Sequence, residues 1–152
     1  ASEVEYLSAG LAPSRQAHRA RRYPMMRYPW DRTEAALRAM ADHSDGVMPE
    51  LDYVNPETGA DVLPTMGFTA MMLAAGLKTT PPRRSCSSAF HVVAGRGRTT
   101  IDGQTVGWGP KDTFSAPVFA SLSHEADEEA FLVRIHDRPL QEKLGYYEER
   151  DS

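Results

Sequence analysis

The sequence predicts an all-β fold preceded by an N-terminal arm and one short helix. From Phe68 onward, short apolar segments recur at regular intervals: FTAMMLAAG, SSAFHVVAG, RTTIDGQTVGWG, DTFSAPVFASLSHEA and AFLVRIHD. Each ends at Gly, Pro or Asp and none has a helical period, which is typical of a β-sandwich or barrel. Asp102 and Gly103 separate two alternating runs, and an Asp-Gly pair at that position predicts a two-residue hairpin.

The residues before Phe68 follow a different pattern. Residues 1–30 contain several prolines and no sustained period, so they predict an extended arm or linker. A helix is predicted from about Arg32 to Ala41, because Asp31 can cap it and Glu34 follows three residues later. Turn signals in DYVNPETGADVLPTMG predict a strand pair, and a short helical turn is predicted from Pro139 to Leu144.

Composition limits the function classes. The 152 residues suit one domain, and a net charge of −4 gives no reason to expect a nucleic-acid partner. Arginines concentrate between Arg15 and Arg38, where they could bind an anion or pair with acidic surface elsewhere. Cys86 is the single cysteine, so no intrachain disulfide forms. No apolar run approaches the ~20 residues that span a bilayer, and the N-terminus lacks the apolar core of a signal peptide, so we expect a cytoplasmic protein.

One segment has the spacing of a metal-binding motif. Between Gly76 and Gly95 the sequence fits Gly-x5-ligand-x-ligand-x3-ligand-x6-Gly, which resembles the first motif of the cupin superfamily. KDTFSAPVFASLSHEA resembles the second cupin motif. The resemblance implies a double-stranded β-helix, a jelly-roll barrel whose interior holds the ligand. It assigns residues 31–152 to a single cupin domain.

Further segments make the resemblance more specific. YPWDRTEAALRAM, LDYVNPETG, LPTMG, FHVVAGRGRTTIDGQTVGWGPKDTFSAP, SHEAD and HDRPLQEKLGYYEE occur in order between Tyr28 and Glu149. Together they are similar to the C-terminal cupin half of the gentisate 1,2-dioxygenases and their salicylate and 1-hydroxy-2-naphthoate relatives. That family implies a cytosolic, oligomeric protein, typically tetrameric, with two cupin halves. Its catalytic cupin uses Fe(II) to open an aromatic ring beside a hydroxyl and a carboxylate.

The residues at the family's ligand positions are replaced in this chain. Cupins usually supply two His and a Glu from the first motif and a His from the second, and the gentisate family relies on the three His. The corresponding positions here are Pro82, Arg84, Ser88 and Leu122. An arginine is a permanent cation that cannot ligate a metal. We therefore expect no metal and no catalytic residue in this chain, and Fe(II) only in the catalytic cupin of such a protein.

Strand alternation indicates which polar residues face the barrel interior. Positions 82, 84, 88, 90 and 92 share one face, so His91 points outward, and His124 is expected to point inward near the mouth. Arg84 inside a barrel needs an internal carboxylate, solvent or a bound anion as its partner. Arg84 and His124 are therefore the candidate ligand-binding residues. His18, His43 and His136 are expected in solvated or surface-pairing roles.

Three functions remain open at this point. The chain could be a metal-free cupin half that supports assembly with another cupin domain or with copies of itself. It could be a stand-alone module that binds a small aromatic or carboxylate ligand through Arg84 and His124. It could also be an iron enzyme whose ligands, such as His91 and His124, are shared across subunits. The resemblance and the replaced ligands together favour the first function.

Overall fold

The computed structural model describes residues 27–43 and 48–152. The predicted arm over residues 1–30 and His18 lie almost wholly outside those ranges. No helix in the described part of the chain is long and apolar enough to cross a membrane. The described elements are α1 (Trp30–His43), β1 (Glu50–Asp52), β2 (Gly67–Leu73), β3 (Lys78–Thr79), β4 (Arg83–Arg84), β5 (Ser88–Ala94), β6 (Gly97–Ile101), β7 (Gln104–Trp108), β8 (Thr113–Ala116), β9 (Leu122–Ala126), β10 (Ala130–His136), α2 (Arg138–Leu144) and β11 (Glu149–Arg150).

The strands form three antiparallel sheets, which confirms the predicted all-β class. A five-stranded sheet has the order β1-β2-β10-β5-β8, and a four-stranded sheet has the order β3-β9-β6-β7. β4 and β11 form a separate two-stranded pair. An isolated bridge between Ala75 and Ala126 links the end of β2 to the four-stranded sheet. Non-consecutive neighbours in both large sheets are typical of jelly-roll connections.

The strands predicted from alternation match the observed ones closely. Asp102 and Gly103 both have positive φ, 48° and 84°, as a two-residue type I′ hairpin between β6 and β7 requires. The predicted strand pair around the Asn-Pro turn is wrong. That turn closes with a single bridge between Val54 and Asp61, and β1 pairs instead with β2. The long β2 offers β1 a full ladder, whereas the turn leaves little chain to pair.

Helix α1 covers the outer face of the five-stranded sheet. It begins two residues before the predicted start, and Leu37 is fully buried against Ala70, Met72 and Phe131. The Trp30 ring meets the Phe131 ring edge-on at 5.6 Å between centroids. The second helix, α2, appears where a short helical turn was predicted and ends at Gly145 in the left-handed conformation.

The main core lies between the two large sheets. Alternate residues of β2, β5, β9 and β10 point into it, including Phe90, Leu132 and Leu122, while Phe131 points outward to α1. This two-sided burial explains why β10 is apolar at nearly every position. The interior face of these strands is also where the replaced ligand positions were predicted.

Gly76 and Gly95 are the first and last residues of the motif that resembles a metal site. Comparing them tests whether the close approach of β10 to Gly95 contributes to stability. Both have positive φ, 75° and 91°. A Cβ at Gly95 would lie 2.5 Å from the Glu129 carbonyl oxygen and 2.6 Å from the Ala130 Cα, whereas a Cβ at Gly76 meets nothing within 4 Å.

We expect Gly76→Ala to lower the free energy of unfolding by about 1 kcal/mol through backbone strain alone. Gly95→Ala should cost about 3 kcal/mol or more, because backbone overlap adds to the same strain. Urea unfolding followed by circular dichroism measures both values. Equal losses in the two variants would contradict a close approach of β10 to Gly95.

Candidate functional site

The four replaced ligand positions meet at one small cavity in the barrel. Pro82 precedes β4, Arg84 lies on β4, Ser88 opens β5 and Leu122 opens β9. All four line the cavity, and the rest of its wall comes from Cys86, Ala116, Pro117 and Ala120. Its free volume is about 10 Å³, which is at the lower limit for a single water molecule. The structure therefore places these positions together, as the motif spacing and the alternation predict.

The residues at this cavity do not fit the iron that the family resemblance implies. Fe(II) in such sites takes imidazole and carboxylate donors. Pro82 and Leu122 have no side-chain donor atom, Arg84 is a cation, and Ser88 offers a single hydroxyl. Within residues 27–43 and 48–152, no group of three or more His, Cys, Asp and Glu residues could hold a metal ion. No catalytic step through iron can be derived for this chain.

Arg84 lines the cavity as a half-buried side chain. Its main chain is well held, because its carbonyl oxygen accepts a hydrogen bond from the Phe119 N–H at 2.7 Å and the residue pairs with Glu149 of β11. Its guanidinium forms no ion pair with any carboxylate in the described ranges, where the ion pairs join other arginines to Glu and Asp. The internal carboxylate that was one of the expected partners of Arg84 is therefore not found among the described residues.

The C-terminal segment fastens the loop that follows β4. The Ser85 hydroxyl donates to Gln141 Oε1 at 2.5 Å, and Gln141 Nε2 donates to the Ser85 carbonyl oxygen at 3.0 Å. The Glu148 N–H donates to Ser85 Oγ at 2.9 Å. Arg150 lies over the Phe119 ring at 4.0 Å from its centroid. These contacts position the wall that carries Arg84.

His124 lies on β9 in the core and is 0% exposed. Its ring contacts the Phe90 ring edge-on at 5.2 Å. It does not line the cavity, so the expectation that it sits near a barrel mouth is wrong. The reason is that β9 is the second strand of its sheet, between β3 and β6, and its inward face is covered by the opposite sheet.

A chain of hydrogen bonds reaches His124 from β7. The Trp108 indole N–H donates to Thr99 Oγ1 at 2.9 Å, and Thr99 Oγ1 lies 2.8 Å from His124 Nδ1. Either the Thr99 hydroxyl or the imidazole donates in the second of these hydrogen bonds, depending on the tautomer of His124. Nε2 is buried without a partner in the described part of the chain. Burial lowers the pKa of His124 to about 4, with Arg84 and Arg134 adding to the effect, so the ring is neutral at pH 7.

Arg134 is the residue that the sequence-based predictions missed. It lies on β10 opposite Thr69 and Phe90, and only 3% of it is exposed. Its Nε and Nη1 atoms are buried and have no hydrogen-bond partner among the described residues. Burial lowers its pKa, and the charge of Arg84 lowers it further. The sequence did contain a signal for this orientation: Arg134 alternates in step with Ala130 and Leu132, whose side chains point into the core.

His136, expected at the surface, is buried instead, with 6% of it exposed. Its Nε2 lies 3.0 Å from Thr69 Oγ1, and Thr69 Oγ1 donates to Asp52 Oδ1 at 2.6 Å. Since Thr69 gives its hydrogen to Asp52, His136 Nε2 is the donor to Thr69. Burial lowers the pKa of His136 to about 4, with Arg134 contributing in the same direction. The residue is a strand end in sequence, but β2 and β5 flank it on both sides.

The remaining histidines do not join this site. His91 lies on the outer face of β5, as predicted, and its Nδ1 is 3.0 Å from the Thr113 hydroxyl. It therefore points away from the interior where His124 lies. His43 ends helix α1 and is exposed. Within one chain, His91 and His124 cannot share a metal.

Comparison with known proteins identifies the group to which the chain is related. The chain is 37% identical over 153 residues to a gentisate 1,2-dioxygenase from a Ralstonia species, covering 97% of this chain and 43% of that protein. It is 35% identical to a 5-aminosalicylate 1,2-dioxygenase from a Comamonas species, covering 84% of this chain and 36% of the relative. This chain is a homologue of part of the gentisate-type ring-cleaving dioxygenases.

Solved structures of this group share the fold. The salicylate 1,2-dioxygenase of Pseudaminobacter salicylatoxidans superimposes with a TM-score of 0.76 at 29% identity, covering 82% of this chain and 38% of that protein. The expected cupin fold is thereby confirmed. No protein-family model matches the chain. The chain spans less than half the length of the relatives it matches.

The depressed pKa of His124 makes stability depend on pH in a defined direction. The unfolded imidazole binds a proton below its ordinary pKa of 6.5, but the folded one does so only below about 4. Stability from this group is therefore complete above pH 6.5 and is lost as the pH falls toward 4. The loss for His124 is about 3 kcal/mol at most.

The His124→Leu variant should accordingly lose less stability than the wild type between pH 6.5 and 4, even though it begins from a lower value. Denaturant unfolding at a series of pH values measures the slope. An identical slope in His124→Leu and the wild type would show that His124 is charged or exposed in the native protein.

Proposed function

We propose that this chain is a metal-free cupin half, the C-terminal one, of a gentisate 1,2-dioxygenase-like cytoplasmic protein. Its role is assembly and support of the catalytic half, which would hold the Fe(II). The observation that carries the proposal is the cavity at Pro82, Arg84, Ser88 and Leu122. By motif spacing these four residues stand at the positions that hold the metal in the family, and they provide no set of iron donors. A homologue can lose these ligands and keep the fold when a second cupin supplies the chemistry.

The surface of the chain supports a role in assembly. A shallow groove of about 620 Å³ lies where β5 begins and where β10 and the edge strand β8 end, and it is lined mostly by apolar atoms. Met66 and Ile135 contribute to it, and Met66 is 41% exposed. An edge strand beside an apolar surface is suited to contact with another domain or another copy of the chain.

The alternative function is a stand-alone module for a small aromatic or carboxylate ligand at Arg84 and His124. Arg84, which lacks a carboxylate partner in the described ranges, favours it. The free volume of about 10 Å³ opposes it, since benzene fills an engineered cavity of about 150 Å³. His124 also lies in the core and does not line the cavity wall. Aromatic binding would therefore require the barrel to expand.

Metal analysis tests the absence of iron chemistry directly. The 152-residue chain, purified from iron-supplemented cells without a metal-affinity tag, should contain less than about a tenth of an iron atom per chain, because its donor set does not match Fe(II). Zinc, nickel and manganese are measured in the same samples. A ratio near one for any of these metals would overturn the metal-free proposal.

A chimera tests the supporting role. In the Ralstonia gentisate 1,2-dioxygenase, the part matched by this chain would be replaced by this chain, and the same enzyme lacking that part would serve as the reference. We expect the chimera to retain oligomers, bound iron and gentisate cleavage, and the truncated enzyme to lose all three. A truncated enzyme as active and as oligomeric as the intact one would refute a supporting role.

Substitutions at two methionines of similar exposure locate the contact surface within that chimera. Met66→Glu should weaken assembly in sedimentation velocity, because Met66 lines the groove. Met40→Glu should not, because Met40, 39% exposed, lies on α1 outside the groove. Equal effects of the two substitutions would remove the groove as the contact surface.

A further inference from the structure

We propose that a second copy of this chain pairs with β7 edge to edge and antiparallel, so that the two four-stranded sheets join into one continuous sheet. The inference rests on the assembly role proposed above, for which it names a partner and a strand. The surface is separate from the groove beside Met66, because no residue of β7 lines that groove.

Strand β7 is an open edge of its sheet. It is the last strand in the order β3-β9-β6-β7, so only one of its sides is paired. Its residues are exposed from Gln104 to Gly107. Proteins usually protect such an edge with a charged side chain, a proline or a bulge, because it invites pairing with another chain. Gln104–Trp108 contains no charged residue and no proline, and its pairing with β6 has no register shift.

The two-residue turn between β6 and β7 determines which main-chain groups face outward. The residues that flank such a turn, here Ile101 and Gln104, form a hydrogen-bonded pair, and bonded and non-bonded pairs then alternate along the ladder. Thr105 and Gly107 therefore direct their N–H and C=O groups away from β6. No main-chain hydrogen bond from the described part of the chain reaches these groups.

The free groups match a second copy of the same strand. A two-fold axis at Val106 places Thr105 opposite Gly107 of the second copy, and Gly107 opposite its Thr105. Both are then hydrogen-bonded pairs, in which each N–H meets a C=O. Since the strand carries no charge, the axis brings no like charges together within the pair. This self-complementarity favours a second copy over a strand of another protein.

Gly107 is not required by the chain itself. Its φ is not in the left-handed region, and a Cβ at this position would meet nothing within 4 Å. Gly97 on β6 differs, because a Cβ there would lie 2.7 Å from the Trp108 ring. Glycine weakens a strand, and within a strand it often marks the close approach of another backbone. A neighbouring strand on this edge supplies such an approach.

Val106 lies on the face of β7 that points into the barrel. Trp108 shares that face and Thr99 is paired with Val106, and both of these residues are buried. Val106 is nevertheless 38% exposed, since no strand of the described chain lies beyond β7. On the two-fold axis it would face its own copy in a non-hydrogen-bonded pair, where side chains approach most closely. The pairing therefore covers apolar surface that one chain leaves in contact with solvent.

Sedimentation velocity of the full 152-residue chain tests the pairing. A five-residue strand pair is smaller than the about 1,200 Å² of a stable interface, so we expect a dimer that dissociates on dilution between about 1 mM and about 10 μM. Val106→Lys should raise the dissociation constant about tenfold or more, because it places two like charges on the axis. A chain that is monomeric at every concentration would overturn the proposal.

Val54→Lys is the matched control for the added charge. Val54 is 42% exposed and follows β1, at the edge of the other large sheet. This variant should keep the wild-type dissociation constant. Equal effects of Val54→Lys and Val106→Lys would show that dimerisation depends on net charge and not on β7.

A disulfide trap tests the register of the strand pair. In Val106→Cys the two thiols face each other across a non-hydrogen-bonded pair, whose Cα spacing of about 4.5 Å permits a disulfide. Oxidised glutathione should convert this variant into a covalent dimer. Thr105→Cys should form far less dimer, because Thr105 faces Gly107 and not itself. The wild type, in which Cys86 is buried, gives the background. Equal cross-linking in the two variants would indicate random collision and overturn the assignment.

The strand pairing and the supporting role fail in different experiments. If Val106→Cys cross-links but the chimera loses gentisate cleavage, the strand pairing stands and the supporting role fails. If the chimera is active but Val106→Cys gives no more dimer than the wild type, the supporting role stands and the strand pairing is wrong.

Discussion

The alternation of side chains along β10 is the constraint on which the rest of the structure depends. This strand lies at the centre of the five-stranded sheet. It pairs with β2 at every position and with β5 from Phe131 to His136, with a register shift after Phe131. Phe131 points to helix α1, and Leu132 and Arg134 point into the barrel. A slip of one residue would place Arg134 under the helix and Phe131 in the interior. The close approach of Gly95 to Ala130 fixes where this pairing begins.

That register gives the interior its charge, and charge opposes a metal independently of the donor atoms. A metal site built from imidazoles needs them in the neutral form and needs a surrounding field that tolerates a divalent cation. Here Arg84 stands at a ligand position, and Arg134 lies behind it on the neighbouring sheet. Two like charges next to a divalent cation repel it most strongly where the dielectric constant is low. At these positions the positive charge therefore disfavours a divalent cation, in addition to the lack of donor atoms.

Alternation and turn chemistry made much of the fold predictable. The hairpin at Asp102 and the long strands were predicted because their patterns are local. Strands β3 and β4 have two residues each, which is too short for a periodic signal. β3 forms because β9 lies beside it, and β4 forms because β11 lies beside it. The site was harder to predict. The positions around Arg84 followed from family spacing. The hydrogen-bond chain from Trp108 through Thr99 to His124 did not, because its last step joins β6 to β9, which lies beyond β7 and β8 in sequence.

Arg134 shows why parity has to be applied to charged residues as well as to apolar ones. A charged residue in a strand is expected to face solvent, because burying it is costly. Its neighbours Val133 and Ile135 are apolar and lie on the partly buried outer face of the strand. Arg134 alternates with them and shares the interior face with Leu132, so the register of the strand places the charge inside.

The wall that carries Arg84 is held differently from the rest of the barrel. β4 pairs with β11 through only two residue pairs, supported by the contacts of Ser85 with Gln141 and Glu148. Short ladders of this kind open with a smaller free energy than the central strands of a sheet. Amide hydrogens in this wall should therefore exchange with solvent before those of β10 do. Opening of this wall alone would expose the interior to solvent while the central strands stay paired.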